Sequence, residues 1–392
     1  MRPVFMDEGI KLKFFHLADL HIGKRVNGFP MREDLEHIFA QIYAYAQKHQ
    51  PDAVLIAGDV YDKTLPSAEA VAQFDGFLTE FVRMGIPVVI ISGNHDSPER
   101  LEFAKGILQS SRVYLSCTYY GKADCVTLTD AYGAVNIYLL PFVRPAQVRS
   151  GLELPELHTY EDAMRAAVKA MQIDTDQRNV LVTHQFVTGS DREALRSDSE
   201  IISVGGEENV PADCFDAFDY VALGHLHRPQ SVGRDAVRYA GSPLKYSFSE
   251  AGHEKSVTMV TMAQKGAIQI ETLPLQPLHE MREICGTLDA LIAQEIVQAA
   301  PADDYIHATL TDGLHQIEPH RKLSAVYPNL MRLDIRQTQS ISEGEISAEA
   351  IRQRDPAQLF EDFYVQQHGE EMSGNQREIV TEIFAQIQEE TK

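Results

Sequence analysis

The chain has 392 residues, enough for two or three domains at ~150 residues each. Its 44% hydrophobic and 23% charged residues are ordinary for a folded protein and exclude a largely disordered or fibrous chain. With 35 Lys+Arg against 57 Asp+Glu the net charge is −22, which excludes a simple duplex-DNA binder with a basic surface; any contact with nucleic acid must be local, metal-mediated or partner-assisted.

The opening MRPVFMDEGIK has no apolar stretch of signal-peptide length, carries Asp7 and Glu8, and reads as a short extension. Residues 13–18 read as a strand. Residues 36–48 read as a helix, with Ile38, Phe39, Ile42 and Tyr45 at helical spacing. A strand over 52–57, a helix over 69–84 and a strand over 88–91 follow. Strand–helix–strand units with crossovers of this length imply a parallel sheet. After Val113 the rhythm changes. Apolar runs at 125–128, 135–140, 180–183, 220–223, 237–240, 257–261 and 267–273 come with one clear helix, over 161–171. Together the two halves predict an α/β protein, a two-sheet mixed β-sandwich flanked by helices over residues 11–275. Pro274 and Pro277 mark a break. Residues 276–340 predict a small α/β domain, with strands at 305–310 and 330–335 and a helix over 288–298. Residues 340–344 read as a linker. Residues 341–392 hold 12 acidic and 4 basic residues and two amphipathic helical patterns. Leu359, Phe360, Phe363 and Tyr364 form one stripe; Ile379, Val380, Ile383, Phe384 and Ile387 form the other. No apolar run approaches the ~20 residues of a membrane helix, so no membrane partner is expected. Cys117, Cys125, Cys214 and Cys285 have no paired spacing, which predicts buried thiols in a reducing cytoplasm.

Five short segments carry metal-capable side chains at the ends of predicted strands: Asp19-Leu20-His21, Gly58-Asp59-Val60-Tyr61-Asp62, Gly93-Asn94-His95-Asp96, Thr183-His184-Gln185 and Gly224-His225-Leu226-His227. Ligand sites of open α/β sheets form beyond the carboxyl ends of strands. Carboxylate oxygen, amide oxygen and imidazole nitrogen suit Mn²⁺, Fe²⁺ or Zn²⁺, and the lack of thiolates argues against a structural zinc site. Asp-x-His and His-x-His place both side chains on one side of an extended backbone. Gly58, Gly93 and Gly224 stand where a strand must turn sharply. Any one segment alone is an ordinary turn, surface or core feature. All five in this order predict a shared dinuclear site.

The ordered set DxH, GDxxD, GNHD, H and GHxH resembles that of the calcineurin-like metallophosphoesterases. FFHLADLHIGK at 14–24, LIAGDVYDKTLPS at 55–67, ISGNHDSPERL at 91–101, ALGHLHRPQ at 222–230 and YAGSPLKYSFSE at 239–250 are similar to the nuclease subunits of SbcCD-type DNA-repair complexes. The resemblance implies one metal held by Asp19, His21, Asp59 and His227, and a second by Asp59, Asn94, His184 and His225, with Asp59 bridging. The two divalent ions, Mn²⁺ foremost, would activate a shared water for in-line attack on phosphorus. His95 would orient the phosphate and protonate the leaving oxygen, with Asp62 as its charge partner. Residues 276–340 would be a capping domain, and the C-terminal helices would dock on an SbcC-type coiled-coil ATPase. The implied activity is double-strand exonuclease and single-strand or hairpin endonuclease, exerted by a homodimer within a heterotetramer. Lys24, Arg25, Lys63, Arg100 and Arg228 would lie near the rim and follow a DNA backbone. A phosphatase or small-molecule phosphodiesterase of the same superfamily is the alternative within enzymes, although Lys63-Thr64 after Asp62 and Asp96 after His95 depart from the protein-phosphatase pattern. A non-catalytic scaffold for the ATPase is the alternative of another class.

Overall fold

The computed structural model describes residues 11–189, 195, 197–200, 209–312, 316–336, 356–368 and 371–390. The expected N-terminal extension and the expected linker at 340–344 lie outside the described residues. Two six-stranded sheets form the larger body. The first runs Ile268–Pro274, Ser256–Met262, Leu12–Leu17, Ala53–Ala57, Val88–Ile91, Val113–Ser116. Its last four strands are parallel and the other two are added antiparallel. The second runs Gln230–Val232, Arg234–Tyr239, Tyr220–Gly224, Arg178–His184, Gly133–Leu140, Asp124–Asp130.

Side-chain alternation explains how the sheets pack. Val54 and Ile56 face outward into a cluster with Phe39, Phe77 and Phe81 of the crossover helices Arg32–His49 and Ala68–Arg83. Ala53, Leu55 and Ala57 face inward against Val180, Val182 and Ala222 of the second sheet. A strand covered on both faces needs apolar residues at every position, which is why these runs are unbroken in the sequence. The outer face of the second sheet is covered by helices Pro145–Leu152 and Tyr160–Ala170, through Val148, Met164 and Ala167.

Beyond Pro277, three parallel strands, Met281–Gly286, Tyr305–Leu310 and Leu330–Ile335, cover a small core of Leu288, Leu291, Ile306, Leu310, Leu323 and Tyr327. The first of these strands escapes the sequence because polar Arg282 and Glu283 interrupt its apolar residues. The helix expected over 288–298 is instead two short ones, Leu288–Leu291 and Gln294–Val297, separated where Ala293 is extended; nothing in the structure explains the break. Buried Asp34 ties this unit to the first crossover helix, accepting hydrogen bonds from Tyr305 Oη (2.6 Å) and the His279 amide (3.1 Å). Cys117 and Cys214 are buried as expected, but Cys125 and Cys285, both on edge strands, are exposed. Among the described residues no helix is long and apolar enough to cross a membrane. Helices Pro356–His368 and Gly374–Glu390 pair through Arg377–Glu361 and through the rings of Phe360 and Phe384, 6.2 Å apart.

Candidate metal centre

The five segments meet at the carboxyl ends of five strands, Leu12–Leu17, Ala53–Ala57, Val88–Ile91, Arg178–His184 and Tyr220–Gly224. Asp19, His21 and Asp59 have φ of 55°, 44° and 49°, and His225 has 109°. Such backbone costs ~1–3 kcal/mol per residue and persists where the surroundings over-determine it. Of the three glycines expected at turns, only Gly58 has a positive φ (85°). Gly93 and Gly224 are required for space. A Cβ at Gly93 would lie 2.1 Å from Asp59 Oδ1, and one at Gly224 would lie 1.9 Å from the Ala57 carbonyl oxygen.

Hydrogen bonds behind the rings decide which nitrogens face the centre. His184 Nδ1–H donates to the Ala57 carbonyl at 2.8 Å, leaving Nε2 as a lone pair. That Nε2 lies 3.0 Å from Asn94 Oδ1 and 3.4 Å from Asp59 Oδ2, and Asn94 Oδ1 is also 3.1 Å from His225 Nδ1. On the other side, His21 Nε2 and His227 Nε2 are 3.0 Å apart, and Asp59 Oδ2 is 3.7 Å from His21 Nε2. Ligand atoms of Asp19, His21 and His227 all lie within 4.8 Å of one another, as do those of Asp19, Asp59 and His184. Electron-pair donors that face each other at these distances repel unless positive charge lies among them. His21 Nδ1 is buried with no hydrogen-bond partner at all. The donor set, carboxylate, amide oxygen and imidazole, fits divalent cations of the Mn²⁺ type.

Electrostatics points the same way. Burial would lower the His184 imidazole, but the carboxylates of Asp59 and Asp19 outweigh it and push it up to about 9. Burial raises Asp59, yet His184 and His21 outweigh that and hold it well below the usual carboxylate range. Burial raises Asp19. The cavity therefore draws in positive charge, as protons when no metal is bound.

Asp62 departs from its expected part. His95 Nδ1 bonds the Asp62 backbone carbonyl at 3.0 Å, whereas the Asp62 carboxylate pairs with Lys24 Nζ at 2.8 Å. The charge partnership of Asp62 is thus with Lys24, and the main chain orients His95. The His95 amide donates to Asp59 Oδ1 at 2.9 Å, and its ring, 14% exposed, faces the rim. Beside it opens a cleft of about 640 Å³ lined by Lys24, Arg25, Arg32, Asp62 and Lys63. Arg25, Lys63, Arg100 and Arg228 are exposed.

Three supporting residues were not legible as such. Asp96 accepts from the amides of Val60 (3.1 Å), Tyr61 (2.9 Å) and Gly93 (2.9 Å), tying two ligand loops together. Glu250 and Lys255 form a buried ion pair of 2.6 Å behind His227. The only signal was the position of Glu250 at the end of YAGSPLKYSFSE and of Asp96 at the end of GNHD.

A family model described as calcineurin-like phosphoesterase matches residues 12–229, and one described as type 5 capsule protein repressor C-terminal domain matches residues 277–368. The SbcD subunit of the nuclease SbcCD from Staphylococcus epidermidis is 30% identical over 383 residues, which cover 96% of this chain and 99% of that protein. Among solved structures, a dimetal phosphatase from Danio rerio aligns with a TM-score of 0.40 and 11% identity, over 68% of this chain and 98% of that one.

Proposed function

The chain belongs to the calcineurin-like phosphoesterases, within the SbcD family of SbcCD nucleases, and is a phosphodiester hydrolase; from that membership we propose that it is a DNA nuclease working with an SbcC-type ATPase in DNA repair and hairpin processing. The observation that carries the reading is that Asp59 Oδ2 stands 3.7 Å from His21 Nε2 and 3.4 Å from His184 Nε2, among buried carboxylate and imidazole donors on both sides. Asp19, His21, Asp59 and His227 would hold one cation, and Asp59, Asn94, His184 and His225 the other. When bound, two divalent ions, Mn²⁺ foremost, supply an activated water and offset charge on the phosphoryl oxygens.

The chain's own residues account for the remaining steps. Because the Asp62 carbonyl only accepts, His95 Nδ1 carries a hydrogen, and the proton the imidazolium can give up is the one on Nε2. That proton passes to the leaving oxygen. Exposed Arg25 and Lys63 beside the cleft meet the phosphates flanking the cut, a local positive rim on an otherwise acidic protein. The purified chain with Mn²⁺ should release nucleotides from duplex ends and open DNA hairpins, and lose both activities on chelation. Turnover of nitrophenyl phosphate with DNA left intact would favour the phosphatase alternative, and inactivity on both would favour the scaffold.

The same reading divides the chain into a nuclease domain at 11–275, a capping domain at 276–340 and a partner-binding segment at 341–392. The paired C-terminal helices leave Phe363 55% and Ile379 and Ile383 50% exposed on an acidic hairpin. Apolar surface of that kind marks an interaction face. A chain ending at residue 340 should keep Mn²⁺-dependent cleavage of simple ends and lose co-purification with the ATPase, whose complex with the full chain should have the mass of two copies of each. Equal capture by both chains would place the docking surface elsewhere.

A further inference from the structure

Behind His227 lies a closed chain of hydrogen bonds whose directions are fixed by chemistry. Glu250 and Lys255 are 0% and 5% exposed. The Lys255 ammonium has three hydrogens and three acceptors: Glu250 Oε2 at 2.6 Å, the His227 carbonyl at 2.8 Å and Ser242 Oγ at 2.8 Å. The other oxygen of Glu250 lies 2.5 Å from Ser199 Oγ and 3.2 Å from His227 Nδ1. Ser199 Oγ is in turn 2.8 Å from His227 Nδ1. An ionised carboxylate only accepts. The single hydroxyl hydrogen of Ser199 therefore goes to Glu250, so towards His227 the serine accepts and Nδ1 must carry a hydrogen. In a neutral imidazole this leaves Nε2 as a lone pair, aimed at the centre where His21 Nε2 is 3.0 Å away.

We propose that Glu250, backed by Lys255, is a positioning residue: it commits His227 to the tautomer whose Nε2 binds metal, and so sets the affinity of the cation shared with Asp19 and His21 but not that of the other. The inference rests on the metal-centre reading above. Folding alone gives a weaker reason for the pair. A buried ion pair is often no better for stability than apolar residues of the same volume, whereas here Glu250 meets His227 Nδ1 directly and through Ser199, and Lys255 bonds the His227 carbonyl. The pair hydrogen-bonds His227, Ser199 and Ser242, not His184 of the second donor cluster. His184 is oriented by the Ala57 carbonyl. Partners of this kind are worth ~10–100-fold in metal affinity.

Mn²⁺ titrated into the full metal-free chain, followed by calorimetry and by electron paramagnetic resonance, tests the assignment. The wild-type chain should take two equivalents and give an exchange-coupled signal. E250Q should weaken one equivalent ~10–100-fold, leave the other unchanged, and replace the coupled signal by that of an isolated Mn²⁺. Because E250Q leaves a lone buried ammonium, the double variant E250Q/K255M, which removes both charges, serves if the single one fails to fold, with the same expectation. Two equivalents at wild-type affinity in a folded variant would overturn the positioning role. So would equal weakening of both equivalents, which marks general structural support. A wild-type chain that binds no Mn²⁺ would instead overturn the metal-centre reading beneath it.

Discussion

Asp59→Asn should remove both cations and reduce phosphodiester cleavage to background. Asp59 offers one oxygen to both sides of the centre: Oδ2 lies 3.4 Å from His184 Nε2 and 3.7 Å from His21 Nε2. Its other oxygen accepts the His95 amide at 2.9 Å, so the loop that bears His95 is oriented by the same group. The amide deletes the negative charge that holds His184 up to about 9 and presents N–H hydrogens where positive charge must sit. Outer partners of metal ligands alone cost ~10–100-fold, so loss of a shared ligand should exceed ~10²-fold in activity. Elemental analysis of the purified variant, beside a nuclease assay at saturating Mn²⁺, measures both effects. A variant that keeps two metals would show that the clusters do not depend on a shared carboxylate.

His95→Gln should keep both metals and still lower cleavage by ~10²–10⁴-fold, the ordinary worth of a general acid. The ring is anchored by the Asp62 main-chain carbonyl at 3.0 Å, and its Nε2 is 3.9 Å from Asp59 Oδ2, farther than the Nε2 of either His184 or His21. The companion variant Asp62→Asn gives the contrast. It preserves the carbonyl that holds His95 and removes only the carboxylate that pairs with Lys24 at 2.8 Å, so its effect should be far smaller. A loss as deep in D62N as in H95Q would restore the carboxylate as the partner of His95, and metal loss in H95Q would make His95 a ligand.

Much of this was legible from local pattern. Largely apolar runs alternating with helical periodicity determined the parallel first sheet, because a strand buried on both faces is built mainly of apolar residues. The five metal-capable segments were legible because ligand residues must follow strands directly, and the strand ends are visible as the ends of those runs. Strand Met281–Gly286 was hidden because it is an edge strand whose apolar residues are interrupted by the adjacent Arg282 and Glu283. Tertiary structure alone decided what stands behind the ligands. His21 and His227 are 206 positions apart, and Glu250 reaches His227 across 23. Asp62 and His95 are in adjacent motifs, yet the backbone conformation of the loop gives His95 the carbonyl and Lys24 the carboxylate. Spacing along the chain specifies which residue types can share a strand end, since side-chain direction there follows from backbone period. Which atom of a residue faces which partner depends on donor and acceptor geometry between segments, and that is settled only when the two sheets pack.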